Sequence, residues 1–254
     1  MKSNRWLGLA ALAASVQFLS AADIVGKVTL KGTPPPEKEL PVADGFCGPG
    51  SKAKTFKGRV YRTGADGGLG DVVVYLKEAP AGGGAEHKQQ VLDQEGCQYE
   101  PYVMAVQANE PIVVKNSDPV LHNVHTRPMA PGNKEQNQAQ MPKGADLTFK
   151  FPTAEQFIRV ECNVHPYMVS YISVFDHPYF AVTDKDGRFS IKNIPVGEHT
   201  FVVWHETGYL VDVTVDGKAT KFQIGDRGKG RVKVAIKAGA NSLGKKIEAA
   251  PVPK

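Results

Sequence analysis

Cys162-Asn163-Val164-His165-Pro166-Tyr167-Met168 sets a thiolate, an imidazole and a thioether at C-x2-H-x2-M spacing. The runs on either side, residues 156–162 and 168–175, read as strands, so the three donors crowd onto one short loop at a sheet end. About forty residues upstream, Asn116-Ser117-Asp118-Pro119-Val120-Leu121-His122-Asn123-Val124-His125 offers a further imidazole from a different strand end. Two imidazoles and a thiolate in one plane, with a weak axial thioether, suit copper; thiolate plus thioether favours it over zinc. A zinc site built from Cys162, two histidines and a water is the chemical alternative, and in it Met168 would only pack.

Outward from that loop the texture stays β. Ile24-Val25-Gly26-Lys27-Val28-Thr29-Leu30 alternates and stops at Gly32-Thr33-Pro34-Pro35-Pro36, while Asp71-Val72-Val73-Val74-Tyr75-Leu76 stops at Pro80-Ala81-Gly82-Gly83-Gly84. Further strands fit residues 103–106, 111–115 and 147–151, and no stretch has a helical period. The spacing predicts an all-β protein of sandwich or barrel type. A second β unit begins at Phe180-Ala181-Val182-Thr183, turns at Asp184-Lys185-Asp186-Gly187 and continues through residues 188–191, 199–205 and 231–236.

The first 22 residues read as a secretory leader. Lys2 and Arg5 precede an apolar run over residues 6–19 that ends in Ser20-Ala21-Ala22, too short for the roughly 20 residues of a membrane-spanning helix. The expected product is an exported, periplasmic or otherwise secreted protein without a membrane span. The whole chain has 254 residues, 41% hydrophobic and 22% charged, enough to bury a core without disulfide staples. Its formal charge of +5 comes without a run of five like charges, and aromatic residues are 8%, so nucleic acid is not an expected partner. Residues 217–254 hold ten Lys and Arg against two acids. They read as a solvated face and tail, or as a docking patch for an acidic partner.

The residues around the donor loop resemble the cupredoxins, most closely the amicyanin and plastocyanin-like group with its short C-x2-H-x2-M loop. The resemblance spans residues 91–175 and implies a type 1 (blue) copper site. By it the upstream ligand is the His of the H-N-V segment, His122, joined by Cys162, His165 and Met168. Asn123 would hold the two ligand segments together from outside the metal's own shell, and the edge of His165 would be the electron port, with Pro166 and Tyr167 in an apolar patch around it. His125 is the rival to His122, but three residues of extended chain put the two rings on opposite faces. Residues 180–238 resemble a carboxypeptidase regulatory-like β-sandwich through Val182-Thr183-Asp184-Lys185-Asp186-Gly187-Arg188-Phe189 and Ile194-Pro195-Val196-Gly197. The expected fold is thus a cupredoxin-like Greek-key sandwich plus a smaller immunoglobulin or transthyretin-like one. The expected division is a leader at 1–22, a copper domain at 23–178 with an N-terminal extension before its core, the second sandwich at 179–238 and a flexible basic tail at 239–254.

With Cys162 assigned to metal, Cys47 and Cys97 are an even pair in an oxidising compartment, and a disulfide is expected. His177 and His205 read as interface or core histidines, and Glu206 has no evident nucleophile or substrate pocket to serve. The functional expectation is a one-electron carrier between redox partners such as a c-type cytochrome or a dehydrogenase, and not an enzyme. Copper oxidases and nitrite reductases that use this fold need further histidine clusters, whereas this chain has seven histidines and no H-x-H pair. The absence of C-x-x-C-H excludes covalent c-type haem. Copper storage or delivery, and an interaction module with a structural metal, are the competing classes.

Overall fold

The computed structural model describes residues 21–249 apart from 31, 65, 81–83, 208–211, 216–217, 222, 226–228 and 237–240. The protein is all-β: every regular element in the described residues is a strand, and no helix among them is long and apolar enough to cross a membrane. The leader lies outside the described residues except for Ala21 and Ala22, which open the strand Ala21–Leu30.

Two sheets face each other over residues 90–175. One has the order Asn137–Gln140, His122–Arg127, Glu155–Glu161, Val169–Phe175, Val103–Gln107. The other has the order Leu147–Phe149, Ile112–Asn116, Gln90–Gln94, Tyr99–Glu100. Alternation along the strands sends Val124, Ile158, Val160 and Ile172 from the first into a core shared with Leu92, Ile112, Val114 and Phe149 from the second.

A second pair of sheets forms the other sandwich. Its inner sheet runs Phe180–Val182, Val73–Leu76, Gly197–Trp204, Lys229–Ile236, Gln223–Gly225, and its outer sheet Arg188–Pro195, Ala21–Leu30, Asn241–Ala249, Asp212–Val215, Lys218–Lys221. Ile24, Val28, Val74, Leu76, Ile191 and Phe201 share the core between them.

This corrects the expected division of the chain. The strands Ala21–Leu30 and Val73–Leu76 belong to the second sandwich and do not extend the first, so the first sandwich is inserted within the second. The reason lies in the unbroken apolar run at 72–76, which marks a strand buried on both faces. Val74 and Leu76 face the second sandwich's core, while Val73 and Tyr75 meet Val103, Ala105 and Phe175 of the first in a third core. The four sheets therefore stack in one pile. Asn241–Ala249, in the stretch read as a tail, pairs in parallel with Ala21–Leu30; residues 250–254 lie outside the described residues.

At the start of the doubly buried run, the Asp71 carboxylate lies 3.1 Å from Arg62 Nε. Burial pushes its pKa from 3.8 up to about 6, against the pull of Arg62. A carboxyl raised by folding supports the fold fully below its unfolded value, and that support is lost as pH rises through about 6. Asp71→Asn, at a φ of 61° that Asn tolerates, should raise stability at neutral pH by about 1–3 kcal/mol and flatten the decline above pH 4. Urea unfolding at acid and neutral pH checks this; an unchanged slope would refute it.

Candidate metal centre

The strand His122–Arg127 points His122 to the same face as Val124, into the sandwich interior, and Cys162 follows the end of its neighbour Glu155–Glu161. The loop then folds back tightly: Met168 N–H donates to His165 O at 2.8 Å and Cys162 N–H to Met168 O at 3.2 Å. His122 Nδ1 and His165 Nδ1 come to 2.9 Å of each other. Cys162 Sγ lies 4.0 Å from the first and 3.9 Å from the second. A triangle with those sides has its centre roughly 2.1 Å from every corner, the length of metal–imidazole and metal–thiolate bonds at about 2.0–2.3 Å. One ion fits all three donors. All are buried, with exposures of 0% for His122, 1% for Cys162 and 7% for His165. Met168 is buried in the same core as Cys162.

The surroundings hold this arrangement from two sides. Asn123 Oδ1 accepts the Asn163 N–H at 2.6 Å and lies 3.4 Å from Cys162 Sγ, which links the strand carrying His122 to the loop carrying Cys162. Asp118, four residues before His122, was not foreseen in this role. Its Oδ2 accepts from His122 Nε2 at 2.9 Å, which leaves Nδ1 facing the other two donors. The same carboxylate accepts the Gly96 and Cys97 amides, each at 2.7 Å. Its place in Asn116-Ser117-Asp118 was the one available signal.

These contacts set the protonation of the donors. Burial alone would raise the Cys162 thiol, but His122 and the nearby backbone amides hold its pKa below the ordinary value. Burial likewise opposes charge on His122, yet hydrogen bonds to Asp118 and Cys162 keep its pKa raised. Burial and the neighbouring His122 charge lower that of His165. The shifts of Cys162 and His122 run in opposite directions, the thiol toward its charged form and the His122 ring likewise, so each group favours charge on the other. Asp118→Ala should lower metal affinity about 10–100-fold by freeing that ring, with the same donors still bound. Competition with a chelator measures it, and wild-type affinity in the variant would count against the role.

The N-terminal segment forms the lid of the centre. Between the paired strands Glu39–Val42 and Lys54–Lys57, Cys47 is disulfide-bonded to Cys97 with Cα atoms 5.8 Å apart. The Phe46 ring meets His165 edge-on at 5.5 Å, and its backbone is a hydrogen-bond partner of His165. Phe56 packs on Tyr167 at 4.5 Å. Phe46 itself is 40% exposed, and Val164 of the ligand loop is exposed as well. Covalent order runs from Cys47 to Cys97, whose amide is fixed by Asp118, which in turn orients His122.

The other candidate residues fall elsewhere. His125 points away from the triangle, with Nδ1 3.0 Å from Asn163 Oδ1 and Nε2 2.5 Å from Glu135 Oε1. His177 lies 3.0 Å from Leu76 O through Nε2 and accepts the Tyr179 N–H, where the two sandwiches join. His205 is buried, with Nδ1 2.9 Å from Thr207 Oγ1. Among the described residues a second donor group, Cys97, Asp118 and His122, gathers beside the first, but Cys97 is bonded to Cys47.

No family model and no curated protein matches the chain. Among solved structures it is similar to a Cu-containing nitrite reductase (NirK) from Thermus scotoductus SA-01, at 17% identity and TM-score 0.32, over 39% of this chain and 25% of that one. The chain therefore spans a quarter of that enzyme's length. A purple cupredoxin from Nitrosopumilus maritimus aligns at 16% identity and TM-score 0.28, over 34% of this chain and 99% of that one. An oxidised amicyanin variant aligns at 19% identity and TM-score 0.31, over 40% and 97%.

Proposed function

We propose that this chain is an exported type 1 copper protein that carries single electrons between partner proteins, a c-type cytochrome or a dehydrogenase being the expected kind. The observation that carries the reading is the buried triangle of His122 Nδ1, Cys162 Sγ and His165 Nδ1. Copper held there would supply reversible one-electron chemistry, with Met168 as weak fourth donor. The chain's part is to keep the donors still. Asp118 and Asn123 fix His122 and the cysteine loop, and the sandwich core and the Phe46 lid exclude water. Burial of the donors favours a slowly exchanging redox centre over storage or delivery. In this reading the inserted sandwich is the copper unit, and the one enclosing it is the regulatory-like unit.

A visible spectrum of the purified protein with Cu(II), before and after ascorbate, tests the reading. An intense blue band that bleaches and returns on reoxidation supports it. A colourless complex points to zinc or a structural metal, and the electron-carrier reading then fails. In a blue protein, Met168→Leu should keep the colour and raise the reduction potential, because a donor to the oxidised metal is lost. Cyclic voltammetry reads the shift, and an unchanged or lower potential would remove Met168 from the ligand set.

A further inference from the structure

A cleft of about 610 Å³ opens at the ligand loop, lined in part by Met168 but by none of His122, Cys162 and His165. That volume lies within the roughly 300–1,000 Å³ of small-molecule sites. Three parts of the chain meet there. Pro166, Tyr167, Met168 and Val169 of the ligand loop line it together with the segment from Phe56 to Val60 and with Glu206, which follows a strand of the second sandwich. The cleft is preformed, because Phe56 is packed into the first sandwich's core and the segment is anchored by the Cys47–Cys97 bond.

The lining states what would bind. The rings of Phe46, Phe56, Tyr102, Tyr167 and Tyr171 offer flat apolar faces. Around them stand four cations, Lys38, Lys57, Arg59 and Arg159. The two arginines are held in place: Arg59 bonds Glu100 Oε2 and Tyr99 O, each at 2.9 Å, and Arg159 bonds Glu161 at 3.0 Å. Arg59 also lies over the Tyr102 ring at 5.0 Å. Lys57 lies 3.2 Å from Glu39 at the rim, and Lys38 is exposed beside it. Glu206 is the only carboxylate in the lining. It accepts the Tyr102 hydroxyl at 2.6 Å, and burial holds its pKa above the ordinary value, which weakens its opposition to an anion.

We propose that this cleft binds a flat aromatic carboxylate of one or two rings, its rings between the tyrosines and its carboxylate toward the lysines and arginines. The proposal goes beyond the copper reading and does not depend on metal being bound.

The test is calorimetric titration of the disulfide-intact protein with 2-naphthoate, 2-naphthamide and cyclohexanecarboxylate. The naphthoate should bind saturably at one site, at least about tenfold tighter than either of the others, since the amide lacks the charge and the cyclohexane the flat ring. Lys38→Gln/Lys57→Gln should weaken it several-fold, and Val169→Trp, which fills the cleft, should abolish it. Amide shifts in the unmutated protein keep the test open if Val169→Trp does not fold; they should cluster at residues 38–60 and 166–171. Absence of saturable binding, equal affinity for naphthoate and naphthamide, or shifts confined to other residues would each overturn the proposal.

Discussion

Cys162→Ala should abolish the visible colour of the copper-loaded protein and lower its copper affinity by more than about 100-fold, beyond what loss of a supporting residue costs. The sulfur is one corner of a triangle whose sides, 2.9, 3.9 and 4.0 Å, admit one ion. It is also the only free cysteine among the described residues, and it is buried. No nearby side chain replaces it: Asn123 Oδ1 is engaged by the Asn163 amide, and Asp118 by His122 Nε2 and two backbone amides. His125→Ala is the matched control. That ring reaches Asn163 and Glu135 and not the triangle, so colour and affinity should survive with a stability cost of about 1 kcal/mol for the lost hydrogen bonds. Absorption spectra and chelator competition on both variants decide it. Colour that survives in Cys162→Ala, or vanishes in His125→Ala, would move the site.

Cys47→Ser/Cys97→Ser should destabilise the protein by about 4 kcal/mol on the chain-entropy account, because the bond closes a loop with a sequence separation of 50. For a chain of this size that corresponds to a fall in Tm of roughly 10 °C. A second effect follows from what the loop carries. Phe46 and Phe56 reach His165 and Tyr167 only while the segment is anchored, so the variant should also release copper faster to a chelator. Phe46→Ala separates the two effects: half-exposed, it should cost little stability yet still quicken release. Calorimetry and chelator kinetics measure both, and counting thiols under denaturing conditions checks the premise, with one free sulfhydryl expected in the metal-free protein. Three free thiols, or a Tm unmoved in the double variant, would remove the disulfide from the account.

The all-β class and the placing of Cys162, His165 and Met168 on one loop were legible in the chain because both rest on local signals, whereas His122 was assigned only through the family resemblance. Strand and breaker follow from side-chain period and from Gly and Pro, and a C-x2-H-x2-M loop has its donors within one turn of each other whatever surrounds it. The parity of His122 and His125 on one strand is equally local, and it separates them without reference to the rest of the protein. Asp118 was visible only as a carboxylate four residues from a histidine. Its role depends on the turn at Gly96 and Cys97, which the chain brings back from 22 and 21 residues away.

Partner choice between distant strands was not legible. The apolar run at 72–76 announces a strand buried on both faces, but the run itself does not say which sheets cover it, since any apolar surface satisfies it. Only the tertiary structure pairs Val73–Leu76 with Phe180–Val182 and Gly197–Trp204, so that one sandwich is inserted in the other. The same holds for the lid. Phe46 and His165 are far apart in sequence, and their contact is decided by the pairing of Cys47 with Cys97 and by the core that receives Phe56. The sequence alone determined the donor chemistry and the class of fold, because spacing and period act over a few residues. Tertiary structure decided what covers the site and which strands share a sheet, because burial rewards any apolar partner and only the assembled fold chooses among them.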